Sequence, residues 1–322
     1  MGSLGDVARG LSLPARIKKN YPNCKITWLV EPACKSLVYA NKYIDQVLVF
    51  ERQNGITAVF SLYKKLSELN FDITLDLQRH FKSGFFSWLS NSPRRIGFNP
   101  KNSKELNYFF NNEFIPPKAA SLSKIEHYHC FLDHLEIVQD TKLDFGMEIS
   151  EEYLNKECKP YVCLVLGSTW KTKDWNSEAY IKLIEKLLAK TSFKVFLLGS
   201  KDQEKINQEI LNSLQADTLN SLVGKTSILE LCSVLKGAEF TIGPDSGPGH
   251  LCSIVETPYV TLFGPTDPSR VCSYGNEHLV VKNDIFCSPC NKKVCYGPKN
   301  ACMRLISSEL VFKKLEDEGL VK

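Results

Sequence analysis

The 322-residue sequence lacks any apolar run of the roughly 18–20 residues that a membrane-spanning helix needs. It also lacks the charged-then-apolar start of a secretory signal, which argues against export. No short-period repeat, low-complexity tract or Walker A motif is present, so neither a repeat architecture nor a P-loop nucleotide site is expected. The 43% hydrophobic and 24% charged residues are typical of a soluble globular protein, and the length suits two domains.

The net charge of +4 is unevenly distributed. Residues 1–100 contain 14 Lys and Arg against 7 Asp and Glu, a charge of +7, which leaves −3 for residues 101–322. A basic first portion suits an anionic partner such as a nucleic acid, a phosphorylated glycolipid or an acidic membrane surface. A solvated lysine-rich face is the alternative explanation.

Four of the 12 cysteines lie close together near the C-terminus. Their spacing is Cys287-x2-Cys290-x4-Cys295-x6-Cys302. In a chain without a signal, such a cluster suggests a metal site before a disulfide framework. Because the spacing is irregular for a zinc ribbon, reduced thiols in a structured loop are the alternative.

Short apolar runs alternate with helical patterns along the chain. The predicted strands are residues 25–30, 46–50, 73–77, 95–98, 161–166, 193–198, 221–223, 239–242, 259–263 and 278–281. Residues 177–189 carry apolar side chains at helical spacing, and a second helix is predicted to start with Thr226 as its N-cap. This alternation indicates an α/β fold with parallel sheets covered on both faces.

The pattern restarts near Tyr161, after a polar stretch at 149–159. We therefore expect two doubly wound, Rossmann-like domains, 1–152 and 153–322, facing each other across a cleft. Ligands in such sheets bind beyond the carboxyl ends of the strands. The C-terminal helix is a candidate for packing back on the first domain.

The turn Gly2-Ser3-Leu4-Gly5-Asp6 enters a helix predicted over 7–19, but no strand precedes it in this sequence. The first strand of a doubly wound sheet is usually central, and the first domain lacks it in this sequence. We expect either that the natural start lies upstream or that another segment takes the place of this strand. Asp6 is a candidate general base, which the helix dipole would keep ionised. Capping of the helix by Asp6 is the alternative.

Residues 239–251 join a predicted strand to a predicted helix through a turn rich in glycine and proline. The first amides of a helix bind anions, and Gly247 and Gly249 can take positive φ to let a phosphate approach. The same turn carries Asp245, Ser246 and His250. An ordinary βα turn capped by Asp245 or Ser246 is the alternative.

Two more loops are expected at the same sheet edge, and their residues suit a diphosphate and a base or ribose. After strand 161–166, Ser168 and Thr169 supply hydroxyls, and Lys171 and Lys173 supply positive charge for a diphosphate. The alternative is an exposed basic turn above a packed Trp175. Gly224 and Thr226 lie where a strand ends and a helix opens, a position for a base or ribose.

Three basic residues, Arg79, His80 and Lys82, follow a predicted strand of the first domain. Their charge would suit an anionic acceptor. A solvated loop explains each of them singly.

Taken in order, these segments resemble the glycosyltransferase family 9 heptosyltransferases, which are ADP-heptose:lipopolysaccharide inner-core enzymes with the GT-B fold. The resemblance is carried by Ser3–Val7 (S-x-G-D), Asp76–Gln78 with Lys82-Ser83 (D-L-Q…K-S), Arg95–Phe98 (R-I-G), Lys173–Trp175 (K-x-W), Asp245–Leu251 (D-[ST]-G-x-x-H-L) and Phe263–Pro268 (F-G-P-T-D-P). The cysteine cluster with Cys302-Met303 is similar to the family's tail. These motifs span nearly the whole chain.

The resemblance implies inverting, metal-independent transfer of heptose from ADP-heptose to a Kdo-bearing, phosphorylated lipid A core. Asp6 would be the general base, and Lys173 would neutralise the donor diphosphate beside Ser168 and Thr169. Asp245 and Ser246 to Gly249 would hold the donor, with His250 supporting their loop. No cofactor and no nucleic-acid partner are implied.

The implied location is the cytoplasm, with peripheral attachment to the inner face of the inner membrane as an option. Three alternatives stand beside the implied function. They are a family relative with another nucleotide-sugar donor, a non-catalytic nucleotide-sugar-binding protein, and an iron–sulfur or zinc protein built on the cysteine cluster.

Overall fold

The structure is a computed structural model, and it describes residues 2–119, 121–138, 141–150, 153–154, 158, 160–297 and 299–322. The chain divides into unit 1, Met1–Glu148, and unit 2, Ile149–Lys322. Both units have the α/β character that the sequence predicts. The predicted boundary at 152/153 adjoins residues 151–152, which lie outside the described residues.

Unit 1 contains two small parallel sheets, ordered β1-β2 and β3-β4-β5. Its strands are β1 (Thr27–Val30), β2 (Gln46–Val49), β3 (Ile73–Leu75), β4 (Arg94–Gly97) and β5 (Glu113–Phe114). Its helices are α1 (Leu4–Gly10), α2 (Leu13–Asn20), α3 (Lys35–Tyr39), α4 (Gly55–Ser67), α5 (Phe81–Leu89) and α6 (Lys124–His134). Four of these strands were predicted, whereas β5, with two residues, is too short to show a periodic pattern.

Helix α1 lies against both sheets of unit 1. Among the described residues the two sheets share no strand, and none precedes α1. A Cβ on Gly10 would lie 3.0 Å from the Trp28 ring in β1 and 3.9 Å from Leu77, just after β3. The absence of a side chain at position 10 therefore lets α1 approach the two sheets closely.

The single helix predicted over 7–19 is wrong, because α1 and α2 are separate helices. The break falls at Leu11–Ser12, and Pro14 occupies the first turn of α2. Proline has no N–H for the carbonyl one turn earlier, so a helix that reaches it from the N-terminal side is interrupted and a new one starts there.

A buried polar cluster around His129 joins α2 to α6. The Arg16 guanidinium lies 3.2 Å from Nδ1 of His129, and the Ser12 hydroxyl lies 2.9 Å from Nε2. Because a guanidinium only donates, Nδ1 accepts and Nε2–H donates to Ser12, whose hydroxyl donates to the Arg9 carbonyl at 2.8 Å. Burial, together with the charge of Arg16, lowers the pKa of His129 to about 4.

Unit 2 is built on one parallel sheet with the strand order β11-β10-β9-β6-β7-β8. Its strands are β6 (Tyr161–Val165), β7 (Lys194–Leu198), β8 (Leu219–Ser221), β9 (Thr241–Pro244), β10 (Tyr259–Phe263) and β11 (Val280–Lys282). Its helices are α7 (Ser177–Lys190), α8 (Glu204–Ser213), α9 (Ile228–Gly237), α10 (Gly247–Val255), α11 (Pro268–Val271), α12 (Ala301–Arg304) and α13 (Ser308–Asp317). Every residue of β6, β9 and β10 is buried, as continuous apolar runs predict.

One helix prediction in unit 2 needs correction, and another stays open. The N-cap of α9 is Ser227, not Thr226, because Ser227 exchanges hydrogen bonds with Glu230 in a capping box, which needs its glutamate three residues on. The C-terminal helix α13 places Val311, Phe312 and Leu315 in the core of unit 2, and its packing on the first domain stays a prediction.

The strand order of unit 2 creates a switch point between β6 and β9. From β6 the sheet grows through β7 to β8, and the chain then returns to the other side of β6 with β9, β10 and β11. Connections leave these two neighbouring strands in opposite directions, so a crevice opens at their carboxyl ends. The loops at 166–174 and 244–247 begin there.

We expect the stability of the protein to rise between about pH 4 and pH 6.5 through His129. The folded-state pKa lies below the unfolded value of about 6.5, so the unfolded state binds the proton first, and this stability is lost as the pH falls through that window. The full effect is roughly 3 kcal/mol. Urea unfolding at pH 4.5 and pH 7 measures it, because His129→Gln should flatten the difference.

The exposed His278 supplies the control for this experiment. His278→Gln should keep the wild-type pH dependence. An unchanged slope in His129→Gln would contradict the assignment.

Candidate functional site

A buried ion pair occupies the switch point of unit 2. Lys173 Nζ lies 2.6 Å from Asp245 Oδ2 and 3.2 Å from the Asp245 carbonyl oxygen. The two side chains are 13% and 8% exposed. Thr266 donates its hydroxyl to the same carboxylate oxygen at 2.8 Å. Loops that follow β6, β9 and β10 thus meet at one carboxylate. Thr266 was part of a recognised motif but was not predicted as a site residue.

The turn before α10 is not a side-chain cap. Ser246 occupies the N-cap position of α10 but makes no capping hydrogen bond, and its hydroxyl instead lies 3.4 Å from the Tyr259 hydroxyl. The Asp245 carboxylate accepts from Lys173 and Thr266. The capping explanation is therefore wrong for both residues, and the first amides of α10 keep their ability to donate to an anion.

Positive φ at Gly247 and Gly249 is also a wrong prediction. Both residues belong to the first turn of α10, and neither is among the described glycines with positive φ. Gly249 is required for another reason. A Cβ there would lie 2.8 Å from the Tyr259 ring, so the glycine lets the start of α10 approach β10. His250, in the same turn, is buried.

The loop after β6 is internally hydrogen-bonded around Ser168. Its backbone N–H donates to Asp174 Oδ1 at 2.9 Å, and its hydroxyl donates to the Trp170 carbonyl at 3.0 Å. Thr169 is exposed, and Lys173 Nζ lies 4.6 Å from the centroid of the Trp170 ring. Trp175 is buried and donates its ring N–H to the Ile306 carbonyl at 2.8 Å, as its predicted packing requires. The loop therefore presents Thr169 and the Trp170–Lys173 pair.

The loop containing Gly224 and Thr226 lies further along the same edge. It follows β8, two strands away from β6, and Gly224 has φ +68. The loop after β7 lies between the two, because Gln203 is next to Gly167 and Lys201 is next to Gly224. Sequence reasoning missed Lys201 and Gln203, although both follow a predicted strand at this edge.

The four clustered cysteines have free thiols. In the part of the chain that the structure describes, no group of three metal-ligating side chains is arranged to hold an ion. The Cys295 sulfur accepts a hydrogen bond from the Asn300 N–H at 3.4 Å. Burial raises the pKa of Cys302, and the nearby thiols of the cluster raise it further.

Asp6 of unit 1 is surrounded by donors. The Ser3 hydroxyl donates to Oδ2 at 2.7 Å, and Arg9 donates to Oδ1 at 2.6 Å. Lys124 Nζ and the Tyr128 hydroxyl lie 3.6 Å and 3.5 Å from Oδ1. Ser3 and Asp6 also form the capping box of α1, so Asp6 does cap this helix.

The Asp6 carboxyl is held ionised. Burial raises its pKa, but the charges of Arg9 and Lys124 and the hydrogen bonds from Ser3 and Arg9 outweigh burial and hold the pKa well below its usual range. Arg9 was visible in the sequence one helical turn after Asp6. Lys124 and Tyr128 were missed, because nothing in a single sequence pairs residues so far apart.

The candidate acceptor residues already have partners within unit 1. The Arg79 guanidinium lies 5.6 Å from the centroid of the Phe98 ring. His80 Nδ1 lies 2.9 Å from Glu105 Oε1, and Lys82 forms an ion pair with Glu31. Their binding to an anionic acceptor stays a prediction.

The family model and the related sequences all point to the same protein family. A family model described as glycosyltransferase family 9 (heptosyltransferase) matches residues 59–300. The lipopolysaccharide core heptosyltransferase OpsX of Haemophilus influenzae is 23% identical over 87% of this chain and 82% of its own. Lipopolysaccharide heptosyltransferase 1 of Pseudomonas aeruginosa is 25% identical over 92% and 86%.

A solved structure shares the fold. The E. coli heptosyltransferase WaaC with ADP superposes with a TM-score of 0.81 at 22% identity, covering 98% of this chain and 97% of that one. The α/β fold with parallel sheets is therefore the GT-B type that the sequence predicted. Separately, none of the described helices combines the length and apolar character needed to cross a membrane.

The burial of the Lys173–Asp245 pair predicts how substitutions there change the free energy of unfolding. Asp245→Asn should destabilise the protein by about 3 kcal/mol, because it leaves the Lys173 ammonium buried without its counter-charge. Thr266→Val should cost about 1 kcal/mol, one hydrogen bond. The double change Lys173→Met with Asp245→Leu should cost less than Asp245→Asn. Denaturant unfolding checks all three.

The exposed pair Lys282–Asp284 supplies a matched control. Asp284→Asn should change the stability by less than about 0.5 kcal/mol. Equal, small effects of Asp284→Asn and Asp245→Asn would contradict the role of the buried pair.

Proposed function

Because the chain belongs to glycosyltransferase family 9, the heptosyltransferases, we propose that it transfers a heptose from ADP-heptose to the Kdo- or heptose-bearing inner core of lipopolysaccharide. The observation that carries the proposal is the Lys173–Asp245–Thr266 cluster at the β6–β9 switch point. Doubly wound sheets bind nucleotides at this place, and the uncapped start of α10 adds amides that suit phosphate.

The donor is assigned to unit 2. Asp245 and the turn to His250 would hold the sugar and phosphates, with Thr169 and Lys173 on the opposite loop. The relatives named above are lipopolysaccharide heptosyltransferases, and one related structure contains ADP. These names support an adenine nucleotide and a lipopolysaccharide acceptor.

The proposed reaction is a single displacement with inversion. An acceptor hydroxyl oxygen bonds to the anomeric carbon as the bond from that carbon to the diphosphate oxygen breaks, and ADP leaves with the electron pair. The hydroxyl proton passes to the Asp6 carboxylate in unit 1. Cationic side chains and amides stabilise the departing charge, so we propose that no metal ion is required.

The low pKa of Asp6 determines when the proton moves. A carboxylate held by Arg9 and Lys124 is a poor base towards a neutral hydroxyl. Once the acceptor oxygen has bonded to the anomeric carbon, it carries positive charge and becomes a strong acid. We therefore assign proton transfer to a late stage of the displacement, where an ionised Asp6 suffices.

A donor panel tests the proposed function. The purified protein, in the presence of EDTA, is incubated with a Kdo-bearing lipid A acceptor and ADP-heptose, ADP-glucose, UDP-glucose or UDP-N-acetylglucosamine. Transfer should occur from ADP-heptose and be inverted at the anomeric carbon, as checked by mass spectrometry and NMR. Transfer from a UDP-sugar alone, or loss of activity in EDTA, would refute the respective part of the proposal.

Asp6→Asn is the matched variant for this assay. It keeps the size of the side chain but removes the proton acceptor, so transfer should fall by at least about 100-fold while ADP affinity stays unchanged. Near-normal turnover would exclude Asp6 as the base. Donor affinity without transfer in the unaltered protein would favour a non-catalytic nucleotide-sugar-binding protein.

An exposed apolar stripe on α4 suits an acceptor embedded in a membrane. Ile56, Phe60 and Tyr63 are 71%, 67% and 51% exposed and lie on one face at helical spacing. The opposite face, with Leu62 among its residues, packs into the core of unit 1. Lys64, next to Tyr63 in the sequence, and Arg52, which precedes α4, are also exposed. Apolar side chains flanked by cations favour an anionic bilayer surface, so we propose peripheral membrane attachment through α4.

Vesicle flotation tests the role of α4. The protein should float with phosphatidylethanolamine vesicles that contain phosphatidylglycerol, and bind less to phosphatidylcholine alone. Phe60→Asp should reduce binding about tenfold or more, because it places a carboxylate in the stripe. Val138→Asp alters an equally exposed apolar residue elsewhere in unit 1 and should bind as the wild type does. Equal losses in the two variants would argue against α4.

A further inference from the structure

The segment that carries three of the four clustered cysteines lies on the loops of the donor site. This cysteine segment comprises residues 285–297 and 299–300. The Ser288 hydroxyl and the Asn291 N–H each donate at 2.6 Å to carbonyls of Gly264 and Pro265, in the loop that leads to Thr266. These bonds attach the segment to one of the three loops that meet at Asp245.

A second attachment joins the cysteine segment to the loop after β6. The Thr172 hydroxyl donates to the Lys292 carbonyl at 3.1 Å. Thr172 directly precedes Lys173, so the backbone at Lys292 and Lys293 is held beside the ion pair. The segment also borders an open depression of about 540 Å³ that is lined by Lys292, Lys293, Val294 and Tyr296.

The ammonium groups of Lys173 and Lys293 both lie close to the indole ring of Trp170. Lys173 Nζ lies 4.6 Å and Lys293 Nζ 5.4 Å from the centroid of the Trp170 ring. The two nitrogens therefore lie within about 10 Å of each other, a distance that one diphosphate can bridge with a hydrogen bond of about 2.9 Å at each end. Cation–π contacts with the Trp170 ring stabilise each ammonium.

The charge of Lys173 is already balanced. Its ammonium is buried against the Asp245 carboxylate, so the pair contributes almost no net charge to a ligand. Lys293 differs, since among the described residues no carboxylate lies within ion-pair distance of it. A departing nucleoside diphosphate carries at least two negative charges, which the balanced pair alone leaves uncompensated.

We propose that Lys293 is a diphosphate-binding residue, and that the cysteine segment forms a wall of the donor site. Lys293 and Lys173, set against Trp170, bind the two phosphates of the nucleotide-sugar, and Lys293 supplies the unbalanced positive charge for the leaving group. This assignment rests on the proposed function of unit 2 as the donor-binding unit. It also gives the cysteine segment a role that the sequence motifs left unassigned.

Titration calorimetry with ADP, adenosine and inorganic pyrophosphate tests the proposal on the full chain. Lys293→Gln should weaken binding of ADP and pyrophosphate roughly tenfold and leave adenosine unchanged, because only the charged ligands meet the ammonium. Lys293→Arg should keep most of the affinity. The salt dependence of ADP binding should become shallower in Lys293→Gln.

Lys299 supplies the matched control, since it is an exposed lysine of the same segment. Lys299→Gln should bind all three ligands as the wild type does. Unchanged ADP affinity in Lys293→Gln, or an equal loss for ADP and adenosine, would overturn the proposal. The equal loss would mean that the change disturbs the fold of the loop.

The outcomes separate this inference from the proposed function. A protein that transfers no heptose but binds ADP or pyrophosphate through Lys293 would refute only the proposed function. Heptose transfer with the same donor KM in Lys293→Gln and the wild type would refute only the role of Lys293. A protein that binds none of the three ligands would refute both.

Discussion

The buried pair of Lys173 and Asp245 determines how the loops of unit 2 are arranged. An ammonium and a carboxylate removed from water stabilise a structure only when geometry and further hydrogen bonds compensate for lost hydration. Thr266 provides one of these bonds, and so three loops from three strands must meet at one oxygen. The start of α10 and the loop holding Trp170 are both fixed relative to this point.

The charges around the Asp6 carboxylate in unit 1 differ from those around Asp245 in unit 2. Asp6 is paired with a cation from its own helix, Arg9, and with one from α6, Lys124. Two positive charges therefore surround one negative charge, whereas in unit 2 the pair is balanced. An excess of positive charge around Asp6 keeps it ionised and favours anionic ligands nearby, which agrees with the basic composition of the first hundred residues.

Much of the fold could be predicted, because ten of the eleven strands in the described residues overlap a predicted strand, and most of them are apolar runs. The motif loops were placed correctly after their strands. Contacts between distant segments could not be predicted, and Lys124 at Asp6 and Lys293 at Trp170 are examples. Capping preferences also gave a wrong result where two neighbouring residues could each serve as the N-cap, because Thr226 was predicted and Ser227 holds this position.

Gly10 lets helix α1 lie close to both sheets of unit 1, because glycine has no side chain. Gly10 allows α1 to touch Trp28 in one sheet and to approach Leu77 beside the other, and the same helix carries Asp6 and Arg9. A methyl group at this position would push α1 away from Trp28 and would displace the side chains of Asp6 and Arg9 with it. The location of the carboxylate therefore depends on how closely a backbone can approach an indole ring, a matter of steric fit rather than charge.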